Sequence, residues 1–244
     1  MESPPKPFII PVFLPHQGCP HRCIFCDQRA ITGITAMPDN HTVLTQVDRF
    51  AAYNHRNRRP VQLSFYGGSF LGLPAGEMIR LLDLAEDLVR QGRINSIRFS
   101  TRPDTVTPER LETLAGYSVT TIELGVQSMD DAILAQARRG HTAAHTVQAL
   151  NLLRDRGFQA GVQIMIGLPG DDGSSSLATA ETLAARSPDF ARIYPTIVIA
   201  GSPLARLFRR GEYRPLPLEE AVRQAASLRE TFSRHGIPVI RMGL

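Results

Sequence analysis

This chain has no fourth cysteine. Its three, Cys19, Cys23 and Cys26, fall in one short stretch and read Cys-x-x-x-Cys-x-x-Cys. Thiolates packed this densely usually hold metal, and a complete iron–sulfur or structural zinc site takes four protein ligands. One metal position therefore stays open unless His16, His21 or Asp27 fills it. An open position marks a site built for chemistry rather than for bracing a fold.

Other absences narrow the class. No run of about 18 uninterrupted apolar residues exists, which argues against a membrane-spanning helix. The opening Met-Glu-Ser-Pro-Pro-Lys-Pro lacks the basic-then-apolar pattern of a secretory signal. The expectation is a cytoplasmic protein whose thiols stay reduced and open to metal. No linker, low-complexity tract or second period divides the sequence, so residues 1–244 are read as a single domain. The chain stops just after an apolar strand, which points to a missing C-terminal extension, that is, a fragment of something longer.

Lysine is almost absent too. Lys6 is the only one, so arginine carries nearly all the positive charge of a chain with net charge +4. A basic balance suits a nucleic-acid partner, because phosphate neutralisation supplies much of that affinity. A charge of +4 over 244 residues is a weak field, however, and codon bias with solvated surface charge is the simpler reading. The densest run, His55-Arg56-Asn57-Arg58-Arg59, ends a helical segment, where the C-terminal dipole favours cations anyway.

What is present is regular alternation. With 43% hydrophobic and 20% charged residues, the chain has the composition of a globular protein with a sizeable core. Apolar, β-rich runs cover Phe8–Leu14, Val61–Tyr66, Ile94–Ser100, Val119–Leu124, Gly161–Ile166 and Phe190–Ile199. Ile237–Ile240 is a candidate last strand. Helical stripes lie between them, including Met78, Leu81, Leu82, Ala85, Leu88 and Val89, a second beginning at Ala143, and a late one from Leu218 to Phe232. Thr107-Pro108-Glu109 reads as a helix start, and Gly157 after Arg154-Asp155-Arg156 as a stop. Strands apolar on both faces, alternating with helices, predict a parallel sheet wrapped by helices. Six units fit this length better than the eight of a closed barrel. The expected fold is therefore α/β, a partial (β/α)6 TIM-like barrel.

In such barrels, reactive groups gather on loops leaving the C-terminal ends of the strands. The cysteine loop follows the first strand, and Tyr66-Gly67-Gly68-Ser69-Phe70 the second. Ser100-Thr101-Arg102-Pro103-Asp104 follows the third, Glu123–Ser128 the fourth and Gln163–Gly170 the fifth, while Tyr194 lies on the sixth. All would open on one mouth. Gly67-Gly68 alone is an ordinary turn, since glycine supplies positive φ cheaply. Opposite a metal loop, the same bare backbone would let a polar ligand approach. Ser128 reads equally well as a helix cap; Gln127 has no capping role. Arg138-Arg139-Gly140-His141 reads as a helix C-terminus, with Thr142 capping the next helix. Asp104, Glu123 and His141 are acid–base types, but pairing is not legible in sequence and no role is assigned. Ligation by His16 or His21 is disfavoured, because zinc spacings usually place a second ligand pair well downstream.

Taken together, the Cys19, Cys23, Cys26 spacing, the Tyr66-Gly67-Gly68-Ser69 turn, Leu124-Gly125-Val126-Gln127-Ser128 and Ile166-Gly167-Leu168-Pro169 resemble the radical S-adenosylmethionine (SAM) enzymes. The similarity runs from about Phe8 to the end and is strongest to the Elongator catalytic-subunit-like branch. Oxygen-independent coproporphyrinogen oxidase is a more distant relative. The resemblance implies that the three cysteines ligate a [4Fe–4S] cluster whose fourth iron takes SAM. It implies that Phe25 lies along the adenine, that Gly68 and Ser69 meet the methionine amino group with Gly67 beside them in the cofactor site, and that Arg139 meets its carboxylate. Gln127 and Gln163 would face the ribose and methionine, and Met165 the adenine. Two departures stand out: Ser100 occupies a SAM-contacting place where relatives often carry an acid, and Ser69 replaces a common Glu. The implied chemistry is reductive cleavage of SAM to a 5′-deoxyadenosyl radical, fed by an external electron donor of the flavodoxin or ferredoxin type, in an oxygen-sensitive enzyme. The substrate is open, with RNA (tRNA) modification or a small molecule both compatible. A non-catalytic iron–sulfur or zinc protein is the alternative.

Overall fold

The structure, a computed structural model, describes residues 6–54 and 58–243. Of the basic run singled out above, His55, Arg56 and Asn57 lie outside the described residues.

Seven strands form one parallel sheet in chain order: β1 (Phe8–Phe13), β2 (Val61–Tyr66), β3 (Ser96–Thr101), β4 (Val119–Gln127), β5 (Gln159–Ile166), β6 (Phe190–Pro195) and β7 (Val239–Met242). Neighbouring parallel strands need a crossover between them, and helices supply it. The helix Ala75–Arg90 shows why. Its stripe of Met78, Leu81, Leu82, Ala85 and Leu88 is at most 1% exposed and covers the outer face of the sheet with β2 and β3 residues such as Leu63 and Ile97. Under the second and third strand ends, Phe65, Phe70 and Phe99 stack with ring centroids 5.1 and 4.4 Å apart.

The sheet curls. Arg192 on β6 donates from Nη2 to the Tyr66 hydroxyl on β2 at 3.1 Å. In a flat sheet those strands would lie about 19 Å apart, four spacings of about 4.8 Å. A single guanidinium spans them because the concave face closes toward a half-barrel.

The expected architecture is therefore what forms, with seven strands where six units were counted and the candidate last strand completing the set. Boundaries moved for local reasons. β4 runs on to Gln127 through a register shift between Gly125 and Gln127. β6 stops at Pro195 rather than Ile199, since its partner β5 ends opposite it at Ile166. β7 starts at Val239, just past Pro238, which has no N–H to give to a ladder. Thr107 caps the helix Pro108–Glu112 by accepting from Arg110 N, as its sequence predicts. The Gln28–Thr32, Ser174–Ala184 and Pro203–Arg209 helices have weaker patterns and were not foreseen.

Candidate metal centre and cofactor cavity

The cysteine loop is built by close approach of bare backbones. Gly18 has φ +70°, and a Cβ there would lie 2.7 Å from Gly72 C and from Leu73 N. A Cβ on Gly68 would lie 2.6 Å from Leu14 O and nearer still to Gln17 O. Ser69 N donates to Gln17 O at 2.8 Å, pinning the two loops together. The Gly-Gly turn thus first serves the cysteine loop, and its bareness is required for that packing.

Two proposed alternative ligands are already engaged. His16 Nε2 accepts from Gln28 N at 3.1 Å, while Asp27 caps the helix Gln28–Thr32 by accepting from Ala30 N at 3.1 Å. The His21 ring packs on Gly140, where a Cβ would strike it.

Cys23 is buried and Cys19 and Cys26 are half-buried. Burial first, then the neighbouring Cys23 and Cys19, pushes the Cys26 thiol up to about 12. Cys19 is raised for the same two reasons in the same order, burial and then Cys23. Cys19 and Cys26, whose ionisation burial and their thiol neighbours oppose, form with Cys23 a nest suited to a cationic centre that takes the place of protons. Arg139 already leans on it, donating from Nη1 to Cys23 Sγ at 3.0 Å and from Nη2 to Gly125 O. Among the described residues, no three His, Cys, Asp or Glu side chains converge as a single metal ion needs. Thiolates around an iron–sulfur cube stand further apart than ligands of one zinc ion.

Above the strand ends the loop faces a cavity of about 700 Å³. Phe25, Gly67, Gly68, Ser100, Gln127, Arg139 and Gln163 all reach its wall, with the three cysteines. Two predicted residues do not. Ser69 is fully buried, its hydroxyl 3.1 Å from Thr101 Oγ1, 3.2 Å from Thr105 Oγ1 and accepting from Arg102 N at 3.2 Å. Met165 packs behind Phe25 among Ile133, Ala137 and Leu168. Nor does Ser128 cap a helix: Asp130 does, accepting from Ala132 N and Ile133 N, while Ser128 Oγ accepts from Asp130 N.

Gln127 carries the clearest mark of a site. It is a non-glycine residue at φ 69°, buried, and its Oε1 has no partner. Strained backbone and an unpaired buried acceptor both cost stability, and they cluster where a ligand repays them. Arg139 Nε is likewise buried and unpaired. These orphaned atoms and the thiol nest fit a group that brings cationic iron to the cysteines and polar atoms to Gln127 and Arg139.

Beneath this lies a polar floor that sequence reading left unassigned. Glu123, fully buried, meets Arg98 Nε at 2.5 Å and Arg192 Nε at 3.0 Å. It also accepts from the Tyr66 hydroxyl at 3.1 Å and from Gln163 Nε2 at 2.8 Å. The available signal was a charge inside an otherwise apolar strand: Arg98 between Ile97 and Phe99, and Arg192 between Ala191 and Ile193. His141 is buried with its Nε2 near Val126 O, and burial, aided by Arg139 and Arg102, drives its pKa down to about 3. An imidazole so reluctant to take a proton is a poor general base near neutral pH.

Comparison with known proteins agrees with this geometry. The family model of the Radical SAM superfamily matches residues 13–183, and that of the Radical_SAM C-terminal domain matches residues 188–244. A tRNA uridine(34) acetyltransferase of Methanocaldococcus jannaschii is 26% identical, over 88% of this chain and 47% of that protein. One from Dehalococcoides mccartyi is 28% identical, over 82% and 50%. The chain thus spans about half the length of these relatives. Among solved structures, the archaeal Methanocaldococcus infernus Elp3 superposes with a TM-score of 0.72 at 22% identity, over 97% of this chain and 55% of that one. Coproporphyrinogen III oxidase (HemN) from Escherichia coli does so at 0.66 and 17%, over 96% and 54%. Three cysteines on the loop after β1, a curled parallel sheet and a family match across most of its length together make this chain a member of the radical SAM superfamily, whose cofactors are a [4Fe–4S] cluster and SAM.

Proposed function

We propose that this chain is the catalytic barrel of a radical SAM enzyme that binds a [4Fe–4S] cluster through Cys19, Cys23 and Cys26 and cleaves SAM reductively. The observation carrying this is the thiol nest facing Gln127, strained and unpaired, across one cavity. When bound, the cluster and SAM supply an electron and a carbon-centred radical able to take hydrogen from a substrate.

The chain's own groups position and shield. Arg139 donates to Cys23 Sγ and offers its unpaired Nε to the SAM carboxylate. The backbone of Gly67 and Gly68 faces the methionine amino group; the Ser69 hydroxyl, spent on Thr101 and Thr105, holds that turn instead. Gln127 and Gln163 reach the ribose and methionine, with Ser100 beside Gln163 at 3.3 Å. Phe25 forms the adenine shelf and Met165 backs it. An external electron donor of the flavodoxin or ferredoxin type completes the cycle in the cytoplasm. Among the described residues no helix is long and apolar enough to cross a membrane.

Anaerobically reconstituted, reduced protein should show a [4Fe–4S]⁺ electron paramagnetic resonance signal that changes on adding SAM, and should release 5′-deoxyadenosine. A cluster-loaded protein indifferent to SAM would sink this reading.

For the substrate, we propose RNA, on the similarity to tRNA uridine(34) acetyltransferases and the arginine-rich composition. Filter binding of tRNA should weaken by at least tenfold between 50 and 200 mM salt, on the order expected for several phosphate contacts. Affinity that does not respond to salt would remove the support.

A further inference from the structure

The cavity wall carries five arginines, Arg22, Arg102, Arg139, Arg192 and Arg241, and no aspartate or glutamate among the described residues lining it. Two are committed near the cysteine loop. Arg102 pairs with Asp104 at 2.9 Å, and Arg139 serves Cys23. On the far side the balance is different.

Glu123 is shared by two guanidiniums, yet only one is needed to neutralise it. Arg98 does so from below: both side chains are at most 5% exposed, and Arg98 stacks 4.7 Å over the Phe190 ring, sealing the floor. Arg192, unlike Arg98, lines the cavity, so the positive charge left over faces open space. Arginine stays charged at any working pH, and a partly buried surplus cation is unfavourable without an anion nearby.

Arg192 is also held still. Nη1 meets the Tyr194 hydroxyl at 3.2 Å, Nη2 meets the Tyr66 hydroxyl at 3.1 Å, and the group sits 5.4 Å over the Tyr66 ring. A guanidinium fixed in advance loses little entropy on meeting a ligand. Arg241 on the neighbouring strand β7 lines the same cavity, and its sole hydrogen bond among the described residues is a long one, Nε to Gly243 O at 3.4 Å. The wall opposite is different in kind, formed by half-buried Ile9, Phe13 and Phe50.

We propose that Arg192, Tyr194 and Arg241 form an anion-recognition subsite for the substrate's phosphate or carboxylate, whose apolar or planar body rests against Ile9, Phe13 and Phe50. The assignment deepens the radical SAM reading and rests on it for the word substrate; the anion site itself rests on the wall. It confines the substrate to amphipathic anions, such as a nucleotide or an aryl carboxylate.

Two matched probe pairs test it by calorimetry on the cluster-loaded protein: uridine 5′-monophosphate against uridine, and 3-phenylpropionate against its amide. At least one anion should bind tenfold or more tightly than its neutral twin, and which one does so separates phosphate from carboxylate recognition. That preference should fall below threefold in Arg192→Gln or in Arg241→Gln, the latter lying on an exposed edge strand where folding is not at stake. Equal binding of both twins in both pairs, absence of binding included, overturns the subsite. So does a preference untouched in both variants. The response of the cluster signal to SAM is read in the same samples. An anion preference without a SAM response would leave the subsite standing and remove the radical SAM reading; the reverse removes only the subsite.

Discussion

Glu123→Gln should destabilise this protein by about 3–5 kcal/mol, seen as a fall in the urea unfolding midpoint at an unchanged slope. The reason is where the charges sit. Glu123 is fully buried, Arg98 nearly so, and they meet at 2.5 Å. Replacing the carboxylate by a neutral amide leaves Arg98 charged in a sealed floor and Arg192 without the shared carboxylate 3.0 Å away. A buried and a half-buried cation then face each other across one amide. Glu123→Asp keeps the charge and should cost less. A loss below about 1 kcal/mol for Glu123→Gln would mean that water reaches the network and that these ions behave as surface pairs.

Gly68→Ala should empty the metal centre. The added Cβ would meet Leu14 O at 2.6 Å and Gln17 O more closely still. Both are backbone atoms of the segment that becomes the cysteine loop, so neither can step aside as a flexible side chain would. The two loops must separate, at about 1–3 kcal/mol for the overpacking. Iron per chain after anaerobic reconstitution should drop several-fold. Gly76→Ala is the matched control. That glycine lies within the helix Ala75–Arg90 with nothing within 4 Å of its would-be Cβ, so alanine should be neutral or stabilising by about 0.5–1 kcal/mol. Full iron loading in Gly68→Ala would show that the cysteine loop does not depend on this contact.

These two predictions mark a difference between what could be read in advance and what could not. The three cysteines and their spacing were legible because residue identity and spacing are local properties. The alternation of apolar strands with helical stripes was legible for the same reason: Met78, Leu81, Leu82, Ala85 and Leu88 recur at helical spacing wherever the helix docks. Gln127 stood out in the sequence as a residue with no capping role, although its φ of 69° and unpaired Oε1 belong to the folded chain.

The role of Ser69 was not legible. A hydroxyl beside two glycines opposite a metal loop resembles a ligand contact, yet a curled sheet turns it inward to Thr101 and Thr105, 32 and 36 residues away in sequence. Gly68 is bare for a reason that exists only once the loop after β1 lies against the turn after β2. The Arg98–Glu123–Arg192 floor joins three strands across a concave face, and no spacing rule reports pairs so far apart. The sequence by itself determined the cysteine spacing that marks the family, the alternating elements and hence the parallel sheet, because each depends on residue type and short-range period. Tertiary structure alone decided which polar groups face the cavity and which pair beneath it, because the curl of the sheet brings β2, β4 and β6 within reach of one guanidinium.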